Sequence, residues 1–274
     1  MVSTRFSSAP ETQKMRKKVI YVDDITYNLI AIKKSLSANY EVYPADSVAK
    51  MFEILEKIIP NIIILDINMP DTNGFDAIKS LKNDNRYVNI PVIFLTGKSA
   101  KEDIIKGLSL GAADYIIKPV ISSKLIDCIE NNIDINKRFD SIKGNEDEKK
   151  PGILAVDDVT SILRSIQFAL QDKYKVYMLS KPEDVLVFLR NKKPDLILLD
   201  YLMPVLTGFD LLPMIRSLPG YKDTPIIIIT TEGTLNHFNE AKSLGASDFL
   251  VKPFFENELQ NKISEYLKVK QADG

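Results

Sequence analysis

Acids, a hydroxyl and a lysine stand at the ends of four short apolar runs, and the whole set occurs twice in 274 residues. Asp23-Asp24 closes KVIYVDD, Asp66 closes NIIILD, Thr96 closes PVIFLT and Lys118 follows DYII. Asp157-Asp158, Asp200, Thr230 and Lys252 repeat the set, each 134 positions further on. Three clustered carboxylates repel one another, so they must take up protons or hold a cation. Carboxylate oxygens completed by water and phosphate suit Mg²⁺. A lysine opposite them supplies positive charge to a phosphoryl group, and a threonine hydroxyl can bond one of its oxygens. An aspartate is a competent phosphoryl acceptor once that charge is dispersed. The pattern therefore suggests an aspartyl-phosphate site, present twice.

The runs that carry these residues are of strand length, rich in Ile and Val, and apolar on both faces. Such strands belong to a parallel sheet covered on both sides. Between them lie amphipathic stretches such as NLIAIKKSLS and VAKMFEILEKI, with apolar residues at helical spacing. A weaker strand, YEVYPA, follows the first helix, which gives five β-α repeats. The expected fold is α/β, two flavodoxin-like (βα)5 doubly wound domains with sheet order 2-1-3-4-5 and right-handed crossovers. Open sheets of this kind bind ligands at the carboxyl edge, beside the point where strand order reverses. That edge is where Asp24 and Asp66 meet.

The repeat has the length of a complete domain, not of a solenoid unit. Its most similar stretches are IILDINMPDTNGFD (63–76) and ILLDYLMPVLTGFD (197–210). The expected organisation is a tail at 1–16, one domain at 17–137, a polar linker at 138–151 and a second domain at 152–270. The net charge of −1, with 45% hydrophobic and 27% charged residues, describes an ordinary globular chain and gives no reason to expect nucleic-acid or membrane binding. Neither a secretory signal nor an apolar run long enough to span a bilayer is present, so the expected location is the cytoplasm. One cysteine, Cys128, excludes an internal disulfide, and the single His237 reads as a surface residue.

Asp-Asp after the first strand, Asp-x-x-Met-Pro-x-x-x-Gly after the third, Thr after the fourth and Lys-Pro after the fifth resemble the receiver domain of bacterial response regulators. The resemblance covers nearly the whole chain. It implies that Asp66 and Asp200 are phosphoacceptors. Mg²⁺ would be bound by Asp24 and Asp158, with Asp23 and Asp157 assisting through water and the backbone carbonyls of Asn68 and Leu202 completing the site. Lys118 and Lys252 would contact the phosphoryl group, through Lys-Pro bonds in the cis state. Thr96 and Thr230 would move towards it, and Tyr115 and Phe249 would be the aromatic switches. No separate catalytic domain is implied, only Mg²⁺-dependent self-phosphorylation and autodephosphorylation.

The implied partners are a sensor histidine kinase or histidine phosphotransfer protein and a downstream protein. The latter would dock on the face formed by the fourth helix, fifth strand and fifth helix. Homodimerisation on activation is a family-level expectation. The alternative is the regulatory receiver pair of a longer protein with an output such as a diguanylate cyclase or a DNA-binding domain.

The copies also differ. Asn68 aligns with Leu202 and Lys98 with Glu232, two places that the resemblance links to the lifetime of the phosphoryl group. Thr231 stands where Gly97 does and leaves less room for an approaching phosphate, so the second site is expected to react more slowly. Pro213 replaces Lys79 and is expected to kink the third helix of the second unit or remove one of its bonds. Rival readings fit less well. LTGKS at 95–99 lacks the first glycine of a P-loop, since Val92 holds that place. No GxGxxG follows a strand, and no second Asp lies two residues after Asp66 or Asp200 as in a haloacid-dehalogenase-type phosphatase.

Overall fold

The computed structural model describes residues 16–70, 73–97, 101–133, 150–231 and 233–267. The first unit runs β1 (Lys17–Val22), α1 (Thr26–Leu36), β2 (Tyr40–Ala45), α2 (Val48–Leu55), β3 (Ile62–Asp66) and α3 (Gly74–Asn83). It continues with β4 (Val92–Thr96), α4 (Lys101–Ser109), β5 (Asp114–Ile117) and α5 (Ser122–Ile133). The second runs β6 (Gly152–Val156), α6 (Thr160–Leu170), β7 (Lys175–Leu179), α7 (Asp184–Asn191), β8 (Leu196–Asp200) and α8 (Gly208–Ser217). It ends with β9 (Ile226–Thr230), α9 (Leu235–Ser243), β10 (Asp248–Val251) and α10 (Glu256–Tyr266). The tail (to residue 15), most of the linker, Lys98 and Glu232 lie outside the described residues.

Each unit holds a parallel sheet, ordered β2-β1-β3-β4-β5 and β7-β6-β8-β9-β10, as the alternation of patterns requires. The two-residue strand period splits each apolar run between two cores. Ile63 and Leu65 pack with Met51, Phe75, Ile78 and Ile104 of α2–α4, whereas Ile62 and Ile64 pack with Leu36, Leu125 and Ile129 of α1 and α5. A strand buried on both faces has no polar position to offer except at its end. That is where Asp66 and Asp200 fall.

Helix starts are set by short polar side chains. Asn73 accepts from Phe75 N at the head of α3, and Thr207 with Asp210 forms a capping box on α8. Gly74 and Gly208 follow these caps, and their need for glycine is steric. A Cβ on Gly74 would lie 2.6 Å from the Asp66 carbonyl oxygen, and one on Gly208 would collide with that of Asp200. Pro213 does not interrupt α8, which spans the same ten residues as α3.

The two units are docked. Val185, Leu186, Val187, Phe188 and Leu189 of α7 are all buried. In α2 the equivalents of Asp184 and Val187 are Lys50 and Glu53, an exposed ion pair. A helix that is apolar all round needs cover on its outer face as well. The first unit provides it: Arg190 Nη2 donates to Leu108 O (2.9 Å), and Lys101 Nζ meets Asp210 Oδ2 at 2.6 Å. Among the described residues no helix is long and apolar enough to cross a membrane.

Candidate functional site

In each unit the predicted residues converge at the carboxyl edge of the sheet. Asp66 is the last residue of β3 and pairs in register with Leu95, placing Thr96 one residue beyond on the neighbouring strand. Lys118 follows β5, and its backbone N–H donates to Thr96 O at 2.8 Å. The Lys118–Pro119 and Lys252–Pro253 peptides are cis.

The geometry is built around the lysine. Lys118 Nζ lies 2.6 Å from Asp66 Oδ2 and 3.0 Å from Asp23 Oδ2. Lys252 Nζ lies 2.8 Å from Asp200 Oδ1 and 2.6 Å from Asp157 Oδ2. Burial would lower both ammonium groups, but their bonds to the two carboxylates outweigh it and hold each above its ordinary value. Asp23, Asp66, Asp157 and Asp200 are buried, while Asp24 and Asp158 are exposed. One oxygen from each acid of Asp23, Asp24 and Asp66 lies within 4.8 Å of the others, and the same holds for Asp157, Asp158 and Asp200. These all-oxygen donor sets fit a hard divalent cation such as Mg²⁺.

The remaining predicted residues ring this centre. Thr96 and Thr230 are buried, and Thr96 Oγ1 donates to Gly97 O at 3.2 Å. Asn68 and Leu202 are exposed beside the acceptor positions, with Asn68 N donating to Asp66 Oδ1 at 3.2 Å. Tyr115 and Phe249 are half-buried. The Phe249 ring meets Phe238 edge-on at 6.2 Å. Burial, then Glu183 of the second unit and Asp114, raises the Tyr115 hydroxyl above its usual value.

The two centres are not copies in one respect that the motifs do not reveal. Asp23 accepts from the Tyr21 hydroxyl (2.9 Å), Ile25 N (3.0 Å), Lys118 and the Asn28 amide, which reaches both of its oxygens at 2.9 and 3.0 Å. Asp157 accepts from Val159 N (2.8 Å) and Lys252, because Ala155 and Ile162 stand where Tyr21 and Asn28 stand in the first unit. Burial would raise Asp23, yet Asn28, Lys118 and Ile25 hold it below the usual carboxylate value. Asp200 is pushed up by burial, with Asp157 and Asp158 reinforcing that against Lys252. Asn28 could have been found from sequence as a polar residue one turn into α1; Tyr21, inside an apolar strand, carries no such signal.

One minor expectation changes. His237 is half-buried, its ring 5.3 Å from that of Tyr201, so it is not a surface residue. Cys128 is a buried thiol that donates to Asp114 Oδ2 at 3.1 Å, and burial followed by Asp114 raises it far above its usual value.

The sequence matches the response regulator receiver domain family over residues 19–130 and again over 153–264. It is 35% identical to a probable cyclic di-GMP phosphodiesterase of Vibrio cholerae over 47% of this chain and 29% of that protein. It is 23% identical to the response regulator PleD of Caulobacter vibrioides over 94% of this chain and 60% of that protein. The chain thus spans less than two thirds of either relative. Among solved structures, the chemotaxis response regulator CheY4 of Vibrio cholerae is 35% identical over 43% of this chain and 100% of its own, with a TM-score of 0.42. Receiver domains take phosphoryl groups from histidine kinases or phosphotransfer proteins and bind Mg²⁺ at an acidic pocket. This chain belongs to the response regulator receiver domain family and carries that domain twice.

Proposed function

We propose that Asp66 and Asp200 each accept a phosphoryl group, which makes the chain a two-site phosphorylation switch. The observation that carries this reading is the lysine bridge. In each unit one ammonium group joins the strand-end acid to the first acid of the Asp-Asp pair. A carboxylate oxygen of Asp66 forms the new bond to phosphorus while the bond to the donor's leaving group breaks. Lys118 transfers its ion pair from Asp66 to the incoming phosphoryl oxygens, and the Thr96 hydroxyl turns from Gly97 O to donate to them. Asp200, Lys252 and Thr230 act in the same way in the second unit. Mg²⁺, held by Asp23, Asp24, Asp66 and the Asn68 carbonyl, or by Asp157, Asp158, Asp200 and the Leu202 carbonyl, would disperse negative charge on the transferred group.

Tyr115 and Phe249 then report occupancy by turning inward as the threonines move. We assign the donor role to a sensor histidine kinase or histidine phosphotransfer protein, and the setting to the cytoplasm. In the first unit the α4–β5–α5 side already faces the second unit. The downstream partner is therefore assigned to α9–β10–α10, where Phe238, Val251 and Phe255 are exposed. The domains are proposed to be 17–137 and 152–270, joined by 138–151.

The test is incubation with radiolabelled acetyl phosphate and Mg²⁺. Hydroxylamine-labile label is expected to fall by one equivalent in Asp66→Asn and by one in Asp200→Asn. Unchanged labelling in either variant contradicts that acceptor.

A further inference from the structure

The junction between the units forms a half-open cleft of about 800 Å³, lined by the end of α3, the loop before β4 and the ends of α4 and α5 on one side, and by α7 and the end of α8 on the other. Its volume lies within the ~300–1,000 Å³ range of small-molecule sites, which favour domain interfaces. Among the described residues that line it, the ionisable side chains are Lys82 and Arg190, both cationic; Asn89 and Asn191 add neutral polar edges, and Val187 and Leu218 add apolar wall.

These two cations meet only because the units are docked. In the second unit Arg216 occupies the position of Lys82 and is consumed structurally, donating to Tyr221 O, Thr224 O and Gly245 O. Lys82 donates to Val88 O and Ile90 O, both at 2.8 Å, which leaves one ammonium proton. Arg190 has no cationic counterpart, since Glu56 holds its place in the first unit. Its guanidinium donates to Leu108 O, and the side chain lines the cleft. We propose that this cleft binds an organic phosphate of about mononucleotide size, with Arg190 and Lys82 holding the phosphate and the amide and apolar walls holding the body. The Arg190 fork suits two phosphate oxygens at once, and the lysine adds a point charge. Burial, then Arg190, pushes the Lys82 ammonium down to about 8, so a bound anion would also relieve an existing repulsion. Because such a ligand touches both units, it would clamp them together. This site is separate from both acidic centres, and its occupancy does not depend on their phosphorylation.

Calorimetric titration of the full chain with AMP and with inorganic phosphate, in buffer containing EDTA, tests this. Both are expected to bind at one site per chain, AMP more tightly, while adenosine gives no saturable heat. Arg190→Gln should weaken AMP by about tenfold or more, the scale of one lost charge-assisted contact. Asn89→Asp, a near-isosteric change in an exposed loop residue, should weaken it as well, without removing the Arg190 bond between the units. The proposal is overturned if neither probe saturates by millimolar concentration, or if AMP affinity is the same in both variants as in the parent chain.

Discussion

At the residue scale the two centres share their acids and lysine but differ in what supports them. An ionised aspartate offers about four lone-pair positions. Asp23 has all of them engaged by Tyr21, Asn28, Ile25 and Lys118, whereas Asp157 answers only to Val159 and Lys252. A cation, or the water through which Asp23 would assist it, must displace a donor in the first centre, so a Mn²⁺ titration followed by electron paramagnetic resonance should resolve two affinities, with the Asp157 centre tighter. Asn28→Ile, which installs the residue of the second unit, should draw the two affinities together; equal sites in the parent chain would contradict the argument. Close packing makes a second residue-scale prediction. Gly74→Ala places a methyl carbon against the Asp66 carbonyl, and should lower the unfolding free energy by about 1–3 kcal/mol in urea denaturation. The motif alone marks this glycine as a turn residue, whereas its backbone is ordinary and the constraint is the approach of α3 to β3. That distinction is invisible until the helix is placed on the sheet.

At the element scale, α7 and α2 occupy the same place in their units yet face different surroundings. Val187 is buried where Glu53 is exposed, because only α7 is covered by the other unit. Val187→Glu should therefore raise hydrogen exchange in α7 and around Leu108, while Glu53→Val leaves the first unit's exchange unchanged. A second element-scale test concerns β10 and α10, joined by Asp248, Lys262 and Tyr266. Burial would raise the Asp248 carboxyl, but bonds from Phe249 N, Lys262 and Tyr266 outweigh it and hold it below its ordinary 3.8. Its folded value is depressed, so its stabilisation is fully present above that ordinary value and fades as pH falls through the folded one. Urea denaturation of Asp248→Asn should show a deficit near neutral pH that shrinks as pH drops below about 4. A deficit independent of pH would contradict the ionic origin. Strands and helices themselves were legible because apolar runs such as IIIL at 62–65 and IIII at 226–229 are short, rich in β-branched residues and preceded closely by Pro60 and Pro225, which favours a doubly covered strand over a helix. Of the two outcomes expected of Pro213, the lost bond is the one that follows: proline has no backbone donor, and the helix persists because Leu211, Leu212, Met214 and Ile215 are buried on either side of it.

At the scale of the whole molecule, two receiver units pack so that the second covers a side of the first that includes Leu108 and faces Tyr115. The sequence pointed to two units and their sites, but not to their mutual arrangement. Arg190, Lys101 and Asp210 carry no motif, and contacts between domains follow from surface shape. The apolar outer face of α7 is expected to dominate the docking. The Lys101–Asp210 pair is partly exposed and should contribute at most about 1 kcal/mol. Lys101→Met should accordingly leave the units docked by small-angle scattering, whereas Val187→Glu should extend the molecule.

The central claim is that each unit carries one phosphoaccepting aspartate, and intact mass spectrometry tests it most directly. After exposure of the full chain to excess acetyl phosphate and Mg²⁺, the account predicts two added phosphoryl groups in the parent, one in Asp66→Asn, one in Asp200→Asn and none in the double variant. A parent chain that gains no phosphoryl group, or a double variant that still gains two, would contradict it.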